Sequence, residues 1–108
     1  MKLRCFFALL LTLLLTGDLL HAETPEERAK TVMVTLEITT DIPPADVAHF
    51  VEVLSNIKVH YQGVPGDTTM INVSFANATA DAAFRYIAGL AKMEVNYQAD
   101  GVHFTPKK

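Results

Sequence analysis

Residues 70–105, MINVSFANATADAAFRYIAGLAKMEVNYQADGVHFT, decide the fold, because three kinds of patterning follow one another inside them. Ile71, Val73 and Phe75 alternate with polar or small residues, the period-two signature of a half-buried strand. Thr79 then stands as a helix N-cap, with Asp81 close to the positive end of the helix dipole. Ala80, Ala83, Phe84, Ile87, Leu90 and Ala91 recur at the spacing of one helical face, and Lys92 sits near the C-terminus. Gly89 weakens that helix by about 1 kcal/mol relative to alanine, and its expected reason is close packing against a sheet. Val95 and Tyr97, then Gln98-Ala99-Asp100-Gly101, then Val102 and Phe104 read as a hairpin, since Asp-Gly between alternating runs favours one.

Upstream, residues 31–40 alternate cleanly, with Val32, Val34, Leu36 and Ile38 on one side and Met33, Thr35, Glu37 and Thr39 on the other. That predicts a first strand. Pro43 ends it by fixing φ and lacking an N–H, and Pro44 suits a first helical turn. Over residues 44–55, Val47, Phe50, Val51 and Leu54 fall at i, i+3, i+4 and i+7. The expectation is an amphipathic helix with these four inward, with Asp46, His49 and Glu52 outward, and with a stop at Ser55-Asn56. Ile57, Val59 and Tyr61 alternate with Lys58, His60 and Gln62 as a second strand, and residues 63–67, GVPGD, form a turn. The order is β-α-β-β-α-β-β, an α+β fold with two helices covering one face of small mixed sheets.

Residues 23–30, ETPEERAK, are polar around one proline and read as a flexible leader or a frayed turn. Residues 1–22 carry Lys2 and Arg4, then Phe6, Phe7 and a leucine-rich block, and close on Ala22. A basic start, a short apolar run and a small final residue describe a secretory signal peptide, with cleavage near Ala22. The apolar run is shorter than the roughly 20 residues of a spanning helix, so no membrane insertion of the mature chain is expected. Cleavage leaves 86 of the 108 residues.

The only cysteine, Cys5, falls in that segment, so the mature chain is expected to lack disulfides and thiolate chemistry. Lys2, Arg4 and Asp18 leave with it. Of 9 basic and 12 acidic residues, 7 and 11 stay, a net charge of −4 with histidine neutral. The charges are scattered without a basic stripe, which disfavours nucleic acid and anionic membranes as partners.

Chemistry-bearing residues are few. His60 and His103 occupy matching outward positions on their strands, and if the strands were neighbours the rings could share a metal. No third ligand stands at a suitable spacing and no helical His-x-x-x-His pair exists, so neither a metal nor another cofactor is expected. Asp81 and Arg85 form an i, i+4 surface pair worth roughly 0.3–0.5 kcal/mol. Glu23, Glu26 and Glu27 read as a solvated acidic leader. Asn72-Val73-Ser74 and Asn77-Ala78-Thr79 match the glycosylation pattern by chance. No serine, histidine and carboxylate suggest a triad and no glycine-rich phosphate loop is present. The chain is not expected to be an enzyme.

The pattern over residues 32–105 resembles the STN domain, the short N-terminal module shared by bacterial secretins and signalling TonB-dependent receptors. The segment INVSFANAT, residues 71–79, followed by a helix, carries most of the likeness, and the closing hairpin with Asp100-Gly101 at its tip adds to it. Lys92-Met93 stands where the family often has a Gly-Leu-like turn. The resemblance implies an STN-like domain over residues 31–106, with two helices sandwiched between a two-stranded and a three-stranded sheet. It also implies a periplasmic protein-interaction module whose partner is a secretin, a TonB-dependent receptor or an inner-membrane component. With no ring, plug or barrel after the hairpin, a free-standing adaptor is the expectation. Its partner-binding edge is expected at Val95, Tyr97, Val102 and Phe104. The alternative is a small-ligand or metal-binding periplasmic carrier using His60 and His103.

Overall fold

The computed structural model describes residues 23–107; the expected signal segment, with Cys5, lies outside them. Three helices and five strands follow in order: α1 (Pro25–Thr31), β1 (Met33–Ile42), α2 (Pro44–Ser55), β2 (Val59–Tyr61), β3 (Ile71–Thr79), α3 (Ala80–Ala91), β4 (Met93–Gln98) and β5 (Gly101–Pro106). β1 and β3 pair antiparallel in one sheet, and β2, β5 and β4 lie in that order in the other. The fold is α+β, as expected. α2 packs on β1 and β2, α3 packs on β3 and β4, and the two helices pack on each other. The core is therefore the layer between the sheets, with Phe84, Phe104, Ile87, Val47, Val51 and Val102 fully buried in it.

The expected leader is helical. It forms α1, closed at its start by a capping box in which Thr24 Oγ1 accepts from Glu27 N at 3.1 Å and Glu27 Oε1 accepts from Thr24 N at 3.0 Å. Two orphan N–H groups are satisfied reciprocally in this way. Arg28 Nε donates to the Ser55 carbonyl at 3.0 Å, at the C-terminal end of α2, and Ala29 is fully buried. The leader thus bridges to α2 and adds a small apolar contact to the core.

β3 carries one residue more than β1 between the pairs Val34–Ala78 and Leu36–Phe75, a β-bulge that strengthens the local twist. Asn77 absorbs it in the left-handed region at φ 53°, where asparagine is better tolerated than most residues, and its N–H donates to Thr35 Oγ1 at 3.1 Å. Two residues later Thr79 caps α3 as predicted, its Oγ1 accepting from Ala82 N at 3.1 Å. Asn56 and Lys92 close α2 and α3 in left-handed conformations.

Three expectations about faces are overturned. α2 turns Pro44, Val47, Ala48, Val51 and Ser55 inward, leaving Phe50 and Leu54 about half exposed and Val53 80% exposed. Leu90 of α3 is outward as well, and Ala88 takes the inward place. Gly89 packs against nothing, since a Cβ there would meet no atom within 4 Å.

β5 is not an edge. It pairs parallel with β2 on one side and antiparallel with β4 on the other, so Val102 and Phe104 are buried mid-sheet. The hairpin turn is Ala99-Asp100, with Gly101 already paired to Gln98. Gly101 adopts φ 138°, and a Cβ there would overlap the Lys58 carbonyl oxygen, which accepts from Val102 N at 2.9 Å. Only glycine lets β2 approach β5 at that point.

Candidate functional site

The β2–β5 pairing sets His60 directly beside His103. Side chains at paired positions of adjacent strands leave the same face, and the two rings stack with centroids 4.4 Å apart and planes 18° from parallel. The Ala99-Asp100 turn then brings Asp100 over the ring edges. His103 Nε2 lies 2.7 Å from Asp100 Oδ1, and His60 Nε2 lies 3.4 Å from Oδ2 and 3.2 Å from the Asp100 carbonyl oxygen. The His103 hydrogen bond holds the Asp100 carboxyl below the usual carboxylate range. One donor atom from each of the three side chains lies within 4.8 Å of the other two. The third candidate donor that sequence reading found missing is Asp100. It stands three residues before His103, an interval with no meaning on a regular strand but short across a tight turn.

A second cluster joins α3 to β4. Arg85 Nε donates to both oxygens of Asp81, at 3.0 and 3.2 Å, as the i, i+4 spacing predicts. The Tyr97 hydroxyl also donates to Asp81 Oδ1, at 2.6 Å, and the Arg85 guanidinium lies 6.0 Å from the Tyr97 ring centroid. Burial, reinforced by that hydrogen bond, pushes the Tyr97 phenol well above its ordinary value. The Tyr97–Asp81 bond was not legible in the sequence because the partner is non-local. These contacts satisfy one another and fasten the helix to the sheet.

The third feature is the outward side of α2. Phe50, Val53 and Leu54 occupy i, i+3 and i+4, and Ile42, Asp46, His49, Phe50 and Val53 line a shallow groove of about 390 Å³. His49 Nδ1 lies 2.9 Å from Glu52 Oε1 and turns that polar edge toward solvent. Of the four residues expected at a partner-binding edge, Val102 and Phe104 are fully buried, and Val95 and Tyr97 are half-buried against the core. β4, with Val95 and Tyr97, is an outer strand of its sheet, whereas β5, with Val102 and Phe104, lies between β2 and β4, a neighbour relation that local patterning does not reveal.

Among the described residues no helix is long and apolar enough to cross a membrane. Comparison with family models, with curated proteins and with solved structures finds no match.

Proposed function

We propose that this chain is a small exported protein-interaction module of the periplasm, an adaptor that docks on another envelope protein. The observation that carries the reading is the outward face of α2, where Phe50, Val53 and Leu54 stand in water in a domain with little apolar surface to spare. Contiguous exposed apolar side chains rimmed by polar ones mark interaction sites, and a helix face reading i, i+3, i+4 is a common recognition mode. The STN-like order of elements supports the same reading. It also supplies the partner classes: a secretin, a TonB-dependent receptor or an inner-membrane component. The basic, leucine-rich segment before Ala22 supports export.

The test is photo-crosslinking in the native cell envelope, with the probe replacing Val53 in one strain and Gln98, on the hairpin side, in another. The expected result is one discrete adduct to an envelope protein from position 53, lost when Phe50 is also changed to Ser, and none from position 98. Absence of an adduct at position 53, or an adduct only to a second copy of the chain, overturns the adaptor reading. Fractionation accompanies it: the chain should appear in the periplasm shortened by the 22 residues of the signal.

A further inference from the structure

We propose that His60, His103 and Asp100 form a binding site for one late first-row divalent cation, Zn2+ or Cu2+. The inference is independent of docking through α2. It starts from register: parallel pairing places the two histidines side by side, and the strands hold their rings in a stack 4.4 Å apart. The same nitrogen of each ring, Nε2, faces the same carboxylate. Two imidazoles from rigid strands plus one carboxylate from a tight turn make an N2O donor set. Imidazole nitrogen suits zinc and copper, whereas magnesium and calcium call for oxygen donors throughout.

The dimensions suit an ion. Zinc bonds nitrogen and oxygen at about 2.0–2.2 Å, which puts two donors of one tetrahedral ion roughly 3.3 to 3.6 Å apart. The donors here lie within 4.8 Å of one another, with the pairs to Asp100 at 2.7 and 3.4 Å. Small rotations of exposed side chains close the difference. The Asp100 carbonyl oxygen, 3.2 Å from His60 Nε2, is within reach as a fourth donor, and water fills any coordination position left open. The two histidines are held unequally by Asp100. His103 has a short contact at 2.7 Å, while His60 is divided between two long ones. The group is also accessible, with the Asp100 side chain 61% exposed.

The experiment uses the purified protein without a polyhistidine tag. ZnCl2, CuCl2 and, as a hard-cation control, MgCl2 are titrated calorimetrically, with histidine ring signals followed by NMR. The expected result is one equivalent of zinc or copper bound and no magnesium, with the His60 and His103 signals shifting or broadening together while the His49 signal stays in place. Asp100→Asn keeps a good turn residue and so preserves the hairpin, yet should weaken binding by at least the roughly tenfold seen when even an outer-shell partner is lost. His60→Ala and His103→Ala should each abolish the one-to-one isotherm. Failure to bind either ion at micromolar protein overturns the proposal. So does binding that survives Asp100→Asn unchanged, or that moves the His49 signal along with the others.

Discussion

Helices α2 and α3 are both twelve residues long and both lie between the sheets, yet they use their apolar residues differently. α3 buries Ala80, Ala83, Phe84, Ile87, Ala88 and Ala91, with its phenylalanine, Phe84, fully enclosed, and lays its half-exposed Tyr86 edge-on against Phe75 of β3. α2 buries proline, valine, alanine and serine and turns its own phenylalanine outward with Val53 and Leu54. The difference teaches how a helix that is apolar nearly all round chooses its face. Val47-Ala48 and Phe50-Val51 give two overlapping apolar stripes, so periodicity alone leaves the rotation open. Small residues settle it: Pro44, Ala48 and Ser55 let the α2 backbone come close to its neighbours, whereas Phe50 and Leu54 would hold it away. An interior packed to crystal-like density has no room for both sets. What is left over is a surface.

The most forceful way to break the comparison is to truncate one side chain on each helix. Phe84 stacks edge-on against Phe104 at 5.8 Å in the middle of the core, so Phe84→Ala should cost about 3–5 kcal/mol. In a domain of this size each kcal/mol moves Tm by roughly 4–8 °C, so the midpoint falls by about 12 °C or more in a thermal melt. Val53→Ala, at an exposed site, should stay within about 0.5 kcal/mol of the parent. If the two variants melt alike, α2 is a core helix and its exposed face is not a separate functional surface.

How much of this was legible in the sequence depended on whether the deciding contact was local. The strand, cap, helix and hairpin of residues 70–105 were readable because Ile71-Val73-Phe75, Thr79 and Asp100-Gly101 act within a few residues of themselves. The helix at 25–31 was readable too, since Thr24-Pro25-Glu26-Glu27 spells a capping box with proline at the first helical position. Closeness to a chain end argued for disorder and was outweighed by Ala29 in the core and Arg28 on the Ser55 carbonyl. The His60–His103 neighbourhood was conditional on β2 meeting β5 in parallel, a pairing between segments about forty residues apart in which neither carries a register signal. Asp100 as a third donor depended on that same pairing. Tyr97 was read by its alternation, as a strand residue, and its hydroxyl found Asp81 only through the packing of α3 on β4.

That last contact gives a sharper contrast of intermediate size. α3 is fastened to its sheet by a phenol–carboxylate bond, whereas α2 is held at its end by Arg28 on a backbone carbonyl. Tyr97→Phe removes one hydrogen bond and no volume from the core, so about 1 kcal/mol is lost at neutral pH. The pH dependence has a definite sign. The folded state raises the Tyr97 phenol above its ordinary value of 10.0, so the unfolded chain releases the proton first. The contribution is whole below about pH 10 and is lost as pH rises through the folded-state value. Urea unfolding at pH 7 and above pH 10 should therefore show parent and Tyr97→Phe converging in alkali. An undiminished gap would place the stabilisation elsewhere than in the neutral phenol.

The smallest effect probes the outer side of α3 at Gly89. Gly89 sits within the helix and carries no positive φ. A methyl group there would enter open space, so alanine loses nothing to collision. The gain comes from the unfolded state, which has fewer backbone conformations with alanine than with glycine. Near a helix end that gain is about 0.5–1 kcal/mol, and Gly89→Ala should raise the midpoint of chemical denaturation with an unchanged slope. Close packing against a sheet, which the sequence suggested as the reason for a glycine, requires the opposite sign. A destabilised Gly89→Ala would mean that the groove lined by Arg85, Ala88 and Gly89 beside β4 is closed in solution, and that α3 has no outward face to set against that of α2.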